Sequence, residues 1–96
     1  MAALLQQQEI KQRVGELTDD WTVVEGKQLR CVKKFKDFVE AIAFVNKLVE
    51  PAEAAGHHPD LEISYNKVTI NMTTHDAGGL TEKDFALAKT ISNAFC

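Results

Sequence analysis

Residues 61–73 read LEISYNKVTINMT and predict a β-hairpin. Apolar and polar side chains alternate on both sides of a short break, which is the pattern of strands that bury one face. If Asn66 and Lys67 form a two-residue turn, Ile63 pairs with Ile70 and the apolar residues all lie on one side. These residues are Leu61, Ile63, Tyr65, Val68, Ile70 and Met72. The segment therefore predicts an antiparallel sheet with one covered face and one polar face.

The sequence before this hairpin predicts a helix and a second hairpin. Residues 4–16 carry a narrow apolar stripe at helical spacing. Residues 21–24 and 28–35 are rich in β-prone side chains, and Gly26 between them can adopt the positive φ angle of a tight turn. We therefore expect the chain to begin with one helix followed by two antiparallel strands.

A longer helix is predicted between the two hairpins. Residues 38–52 have the longest apolar stripe of the chain, and this stripe should cover the sheet. Asp37 precedes the stripe as an N-cap, and Gly56 suits the end of the helix because glycine accepts a left-handed conformation.

The last helix is predicted to begin after Thr81. Asp84 follows Thr81 by three residues, which is close to a capping box. The resulting order, α-ββ-α-ββ-α, predicts an α+β fold: a two-layer sandwich in which helices cover one face of a four-stranded antiparallel sheet. We expect residues 1–96 to form a single domain.

The composition argues against several classes of protein. The 96 residues carry a net charge of -3 and no long run of lysine or arginine, so we expect no direct contact with nucleic acid. The first residues lack the basic start and long apolar run of a signal peptide or membrane anchor, which favours a cytoplasmic location away from membranes. Cys31 and Cys96 are too few for a disulfide scaffold and are typical of reduced thiols in the cytosol.

The candidate site lies where the histidines cluster. His57, His58 and His75 are the only histidines of the chain, and all lie around the hairpin of residues 61–73. Continued outward, the predicted register places His58 opposite His75 on the polar face of the sheet. Since histidine can both donate and accept a proton near neutral pH, the cluster predicts proton-transfer chemistry.

Other kinds of site remain open from these residues alone. Glu53 and the histidines have the ligand types of a metal site, although adjacent histidines seldom bind one ion together and no familiar zinc spacing occurs. A nucleophilic triad is less favoured, because no serine or cysteine adjoins the histidines and the glycine pattern of a nucleophile elbow is missing. Asp84 and Glu53 each have two interpretations, as part of a helix end or as a carboxylate that orients an imidazole.

The hairpin and the residues on both sides of it form a spaced motif. It reads Glu53-x3-His57-His58-Pro59-x5-Tyr65-x9-His75-x8-Asp84. This spacing resembles the signature of the pterin-4a-carbinolamine dehydratase family, and a looser similarity covers most of the chain from Trp21 onward. The resemblance implies the α+β fold above, homodimers or homotetramers, and loss of water from a 4a-hydroxy-tetrahydropterin to give a quinonoid dihydropterin. It also implies a link to aromatic amino acid hydroxylases, which release the hydroxylated pterin that this reaction recycles.

The resemblance further implies a role for each residue of the site. Catalytic proton transfer falls to His57, His58 and His75, and neither a metal nor an organic cofactor is implied. Glu53 and Asp84 are implied to orient the imidazoles. The residues implied to bind the pterin are Pro59, Thr73, Thr74 and Asp76.

The chain also departs from some family members. They have an aromatic residue soon after the His-His-Pro segment, where this chain has Asp60, Leu61 and Glu62. The substrate preference should differ if that aromatic residue shapes the pocket. The alternative function is a non-catalytic interaction or assembly protein of the same fold, of the kind that stabilises transcription-factor dimers. The full set of histidines favours the enzyme.

Overall fold

The computed structural model describes residues 3–17 and 20–93 in full, together with the backbone of residues 94 and 95. The prediction for Cys96 lies outside these residues. The helices and strands follow one another as α1 (Gln7–Val14), β1 (Trp21–Val24), β2 (Gln28–Lys34), α2 (Phe38–Ala55), β3 (Asp60–Ser64), β4 (Lys67–Met72), a short 3-10 helix (His75–Ala77) and α3 (Glu82–Phe95). This order confirms the predicted α-ββ-α-ββ-α arrangement and the α+β fold.

The sheet has the strand order β1-β2-β4-β3, and all neighbouring strands are antiparallel. Its covered face packs on the helices, and burial of each large apolar side chain there contributes about 1.5–3 kcal/mol. Trp21 Nε1 donates a hydrogen bond to Ser92 Oγ over 2.7 Å inside this core, which ties β1 to α3. The core includes Leu29, Cys31, Phe44, Leu48, Val68, Ile70, Met72, Leu80, Phe85 and Ile91. Over the described ranges, no helix has the length and apolar content needed to cross a membrane.

The β3–β4 hairpin has a different register from the predicted one. Ile63 pairs with Val68 rather than with Ile70, and the turn consists of Tyr65 and Asn66. The predicted turn at Asn66 and Lys67 is therefore wrong, although the alternation that places Ile63, Val68 and Ile70 on one face is retained. Tyr65 leaves the sheet, adopts a left-handed φ of 53° and is exposed.

The physical reason for the shifted turn lies in the neighbouring strand. Asn66 O accepts a hydrogen bond from Phe35 N at 2.7 Å, and Asn66 Nδ2 donates to Phe35 O at 2.9 Å. These two bonds hold Asn66 beside the end of β2, so the turn closes one residue earlier. A contact with a residue 31 positions away thus overrides the local turn preference.

The ends of α2 confirm the predicted capping. Asp37 Oδ1 accepts a hydrogen bond from Glu40 N at 2.9 Å, and Gly56 has a left-handed φ of 62° at the end of the helix. His57 N then donates to Ala52 O at 3.1 Å, so the chain reverses tightly out of the helix. This reversal fixes where the adjacent histidines begin.

The start of α3 is capped in both directions, close to the predicted capping box. Thr81 N donates to the Asp84 carboxylate at 2.9 Å, and Thr81 Oγ1 accepts from Lys83 N at 3.3 Å. At the same end, the guanidinium of Arg13 binds the Glu82 carboxylate and connects α1 to α3. This hydrogen-bonded pair lowers the pKa of Glu82 and raises the pKa of Arg13.

We expect Asn66→Ala to destabilise the fold by about 1 kcal/mol, because it deletes the half-buried hydrogen bond to Phe35 O. Ser64→Ala, at an exposed position of β3, is the matched control and should change the unfolding free energy by less than about 0.5 kcal/mol. Urea unfolding of both variants measures the difference. Equal stability of the two would contradict the anchoring of the turn by β2.

Candidate active site

The candidate site lies at one end of the sheet, where three segments of the chain meet. His57 and His58 occupy the connection from α2 to β3, and His75 begins the 3-10 helix that follows β4. Asp60, the first residue of β3, is the register partner of Asn71 near the end of β4. Because the two strands are antiparallel neighbours, the histidines that precede β3 and follow β4 come to the same end of the sheet.

The prediction that His58 pairs with His75 across the hairpin is wrong. It depended on the two-residue turn at positions 66 and 67. In the observed register, β3 begins at Asp60 and β4 ends at Met72, so both histidines lie beyond the paired strands. Each imidazole contacts a carboxylate instead, and the site consists of three such pairs.

His57 and Asp84 form the buried pair. His57 Nε2 lies 2.6 Å from Asp84 Oδ1, and the Asp84 side chain is 0% exposed. Asp84 Oδ2 accepts two more hydrogen bonds, from Thr74 Oγ1 at 2.8 Å and from Thr81 N at 2.9 Å. These donors compensate for the loss of water around a carboxylate. Asp84 therefore contacts both the start of α3 and the His57 imidazole, and its role in orienting that imidazole stays a prediction.

His58 and Glu53 form an exposed pair beside an apolar cleft. Glu53 lies in the last turn of α2, and its carboxylate is 2.5 Å from His58 Nε2. The two side chains are 63% and 68% exposed, so water can reach both. A cleft of about 260 Å³ adjoins them between α2 and β3. Its other lining residues are Val45, Leu48, Val49, Ala52, Pro59 and Leu61.

His75 and Asp60 form the third pair, and Asp60 was not among the predicted site residues. His75 Nε2 is 3.6 Å from Asp60 Oδ2, and both side chains are exposed. The signal was available in the strand alternation: Asp60 directly follows His-His-Pro and has the parity of the polar sheet face.

Two contacts join the segments that carry the histidines. Asp84 binds His57 on one segment and Thr74 on the other, and Thr74 directly precedes His75. The His75–Asp60 pair makes the second connection. The three imidazoles therefore share one end of the sheet, although each has its own carboxylate.

The residues expected to bind the substrate take different positions. Thr73 Oγ1 donates to Lys27 O at 2.8 Å, and Thr74 Oγ1 donates to Asp84. The proton of each hydroxyl is therefore already used in a hydrogen bond within the protein. Asp76 is exposed on the 3-10 helix, and Pro59 lines the cleft beside His58. The substrate-binding roles of these four residues stay a prediction.

The arrangement can donate and accept protons at several points. In the His57 and His58 pairs, a carboxylate at hydrogen-bond distance can hold the imidazole in one orientation. Across residues 3–17 and 20–95, no three histidine, cysteine or acidic side chains gather into a group that could hold a metal ion. The fold and the site together define a small α+β protein with three histidine–carboxylate pairs at one end of its sheet.

Comparison with known proteins identifies the family. The model of the pterin 4 alpha carbinolamine dehydratase family matches residues 3–94. A protein of Cyanothece sp. strain PCC 7425 that carries a provisional pterin-4-alpha-carbinolamine dehydratase name is 67% identical over 92 residues, which are 96% of this chain and 93% of the relative. A protein of Nostoc sp. strain PCC 7120 with the same provisional name is 65% identical, over 96% of this chain and 97% of the relative. The chain belongs to the pterin-4a-carbinolamine dehydratase family, which is named for a hydro-lyase.

Solved structures agree with the fold. A structure described as a transcriptional coactivator/pterin dehydratase from Brucella melitensis superposes with a TM-score of 0.85 at 32% identity, over 93% of this chain and 95% of that one. A pterin dehydratase-like protein described as a RuBisCO assembly factor in the alpha-carboxysome gives a TM-score of 0.64 at 20% identity, over 79% of this chain and 89% of that one. The second likeness concerns the fold alone.

The pairs should differ sharply in their contribution to stability. We expect Asp84→Ala to destabilise the protein by about 3 kcal/mol, because it leaves buried donors of His57, Thr74 and Thr81 without their acceptor. Glu53→Ala removes the carboxylate of an exposed pair and should cost less than about 1 kcal/mol. Urea unfolding of both variants gives the comparison, and similar losses in the two would contradict it.

Proposed function

We propose that this protein is a 4a-hydroxytetrahydropterin dehydratase, which acts by histidine acid–base catalysis and recycles the pterin cofactor of aromatic amino acid hydroxylases. The observation that carries the proposal is the convergence of three histidine–carboxylate pairs at one end of the sheet. The similarity to relatives with dehydratase names supplies the substrate class. The scheme uses no metal or organic cofactor, and we place it in the cytoplasm, without membrane or nucleic acid contacts.

Dehydration requires one proton to be delivered and another to be removed. Hydroxide is a poor leaving group, so an imidazolium donates a proton to the C4a hydroxyl and the C–O bond breaks with its electron pair on the departing water. A neutral imidazole takes the proton of a ring nitrogen, and the N–H electrons form the new C=N bond. One histidine loses a proton and the other gains one, so transfer of that proton between them or through water restores the site. We assign these steps to His57, His58 and His75.

Substrate contacts follow from the surroundings of the histidines. We expect the amide-like edge of the pterin to bind near Thr73, Thr74 and Asp76, chiefly through groups other than the protons of the two threonine hydroxyls. Pro59 and Leu61 line the cleft beside His58. Some family members have an aromatic residue in the segment that contains Leu61, so substrate preference should differ at this wall if that residue shapes the pocket.

The activity test follows dehydration of freshly generated 4a-hydroxy-tetrahydropterin by ultraviolet absorbance, with chelator-treated protein. We expect acceleration over buffer that survives chelation and falls by about 100-fold or more in His57→Ala, His58→Ala or His75→Ala, as loss of a general acid or base should. Lys36→Ala, at an exposed position before α2, is the control with unchanged rate.

A folded wild-type protein that is no faster than buffer would refute the proposal. In that case a role in binding another protein, the alternative function, becomes the better account. Exposed apolar side chains are available for such contacts: Phe38, Val39 and Val49 on α2, and Ile63 and Tyr65 on the β3–β4 hairpin.

We propose that a second copy of this chain covers exposed apolar side chains of α2 and the β3–β4 hairpin, so that the protein is a homodimer or homotetramer. β3 is an edge strand, and Val39 on α2 is 75% exposed, which is costly for an isolated small domain. Light scattering after size exclusion should give a mass of two or four chains, and Val39→Glu should shift it toward one. Gln8→Glu on exposed α1 is the control, and a wild-type protein that is monomeric at micromolar concentration would contradict the proposal.

A further inference from the structure

Two threonine hydroxyl groups, those of Thr81 and Thr74, form a hydrogen-bonded row that leads to Asp84 of the buried His57–Asp84 pair. Thr81 Oγ1 lies 2.8 Å from Thr74 Oγ1, and Thr74 Oγ1 lies 2.8 Å from Asp84 Oδ2. Lys83 N is 3.3 Å from Thr81 Oγ1 at the far end of the row. Thr74, Thr81 and Asp84 are all buried, so water does not compete for these bonds.

The direction of each hydrogen bond in this row follows from counting protons. A hydroxyl has one proton, an amide N–H can only donate, and a carboxylate can only accept. Thr74 Oγ1 must give its proton to Asp84, so the bond between the hydroxyls is donated by Thr81. Thr81 in turn accepts from Lys83 N, which cannot reverse. Every hydrogen bond of the row is therefore donated in the same direction, from Lys83 N through Thr81 and Thr74 to Asp84.

The hydrogen bond to Asp84 also fixes the position of the proton on the neutral His57 ring. Asp84 Oδ1 can only accept, so the 2.6 Å contact requires the proton of His57 to be on Nε2. The neutral imidazole consequently has its lone pair on Nδ1. Nδ1 is therefore the ring nitrogen of His57 that is left to accept a proton.

We propose that Thr81 and Thr74 are positioning residues: they orient the Asp84 carboxylate, which in turn holds His57 with its proton on Nε2 and Nδ1 available for proton transfer. The inference rests on the proposed dehydratase function. It gives the Thr74 side chain a positioning role in place of the expected substrate contact. Thr81, which entered the sequence argument only as a helix cap, becomes part of the site.

The expected consequence is a loss of rate without a loss of substrate affinity. Removing the Thr81 hydroxyl frees Thr74 to rotate, so one of the two donors to Asp84 Oδ2 is no longer held in place and only Thr81 N stays fixed. A single hydrogen bond of this kind corresponds to about fivefold in rate. Because Thr81 and Thr74 act through Asp84, the change should appear in kcat and leave KM as it is.

The kinetic experiment compares four variants of the full chain. Thr81→Val removes the hydroxyl at nearly constant shape, and Thr81→Ser restores it. Thr74→Val breaks the row without altering the Thr81 side-chain cap of α3. Thr90→Val is the matched control, since the Thr90 hydroxyl is also on α3 but donates to Ala86 O at 3.0 Å. We expect kcat to fall about fivefold in Thr81→Val and Thr74→Val, and to stay at the wild-type value in Thr81→Ser and Thr90→Val.

A spectroscopic measurement separates positioning from a general loss of stability. Nitrogen-15 NMR of the His57 ring reports which nitrogen carries the proton, and hydrogen exchange reports how firmly it is held. We expect the wild-type neutral ring to be protonated at Nε2. That proton should exchange about fivefold faster in Thr81→Val and Thr74→Val, and at the wild-type rate in Thr90→Val.

The outcomes distinguish this inference from the proposed function. A wild-type ring protonated at Nδ1, or unchanged exchange in both Thr81→Val and Thr74→Val, would overturn the positioning role. A raised KM at unchanged kcat would also overturn it, because it would make the hydroxyls substrate contacts. If the NMR responses occur but the wild-type protein dehydrates no pterin, the positioning of His57 holds and the proposed function fails.

Discussion

The rest of the structure depends on one buried carboxylate, that of Asp84. A charge without water is tolerated only when hydrogen-bond donors surround it, and here the donors come from separate parts of the fold. Thr81 N belongs to the start of α3, Thr74 Oγ1 to the segment after β4, and His57 Nε2 to the segment after α2. The position of Asp84 in the first turn of α3 adds the favourable field of the helix N-terminus. The Asp84 carboxylate thus connects the start of α3, the segment after β4 and the segment after α2, and it contacts the His57 imidazole.

The fold could be predicted because its signals are local. Alternation marked the strands, Asp37 and Gly56 marked the ends of α2, and Gly26 has the expected positive φ of 70°. The β3–β4 turn was missed because its cause is distant in sequence. Asn66 is held by Phe35 at the end of β2, and Tyr65 takes the left-handed conformation that a sequence argument assigns to glycine or asparagine.

For the site, the sequence could predict the participating residues better than their partners. The spacing of the motif brought the histidines, Glu53 and Asp84 together as candidates. It could not predict that His75 faces Asp60, because that contact depends on how the segment after β4 turns away from the sheet. Nor could it predict that Thr74 donates to Asp84, since the direction of a hydroxyl depends on packing and not on spacing.

The three pairs differ in burial, and this difference divides the site into a fixed part and an adjustable part. His57 and Asp84 are enclosed and hydrogen-bonded, so their geometry is set before any ligand arrives. The carboxylates of Glu53 and Asp60 are solvated, where an ion pair contributes little and side chains change rotamer readily. The proposed proton transfer makes use of both kinds of group, because an oriented group favours a productive geometry and a solvated group can exchange protons with water between turnovers. In the proposed dehydratase, the buried His57 is the group oriented in advance, and the exposed His58 and His75 are the groups in contact with water.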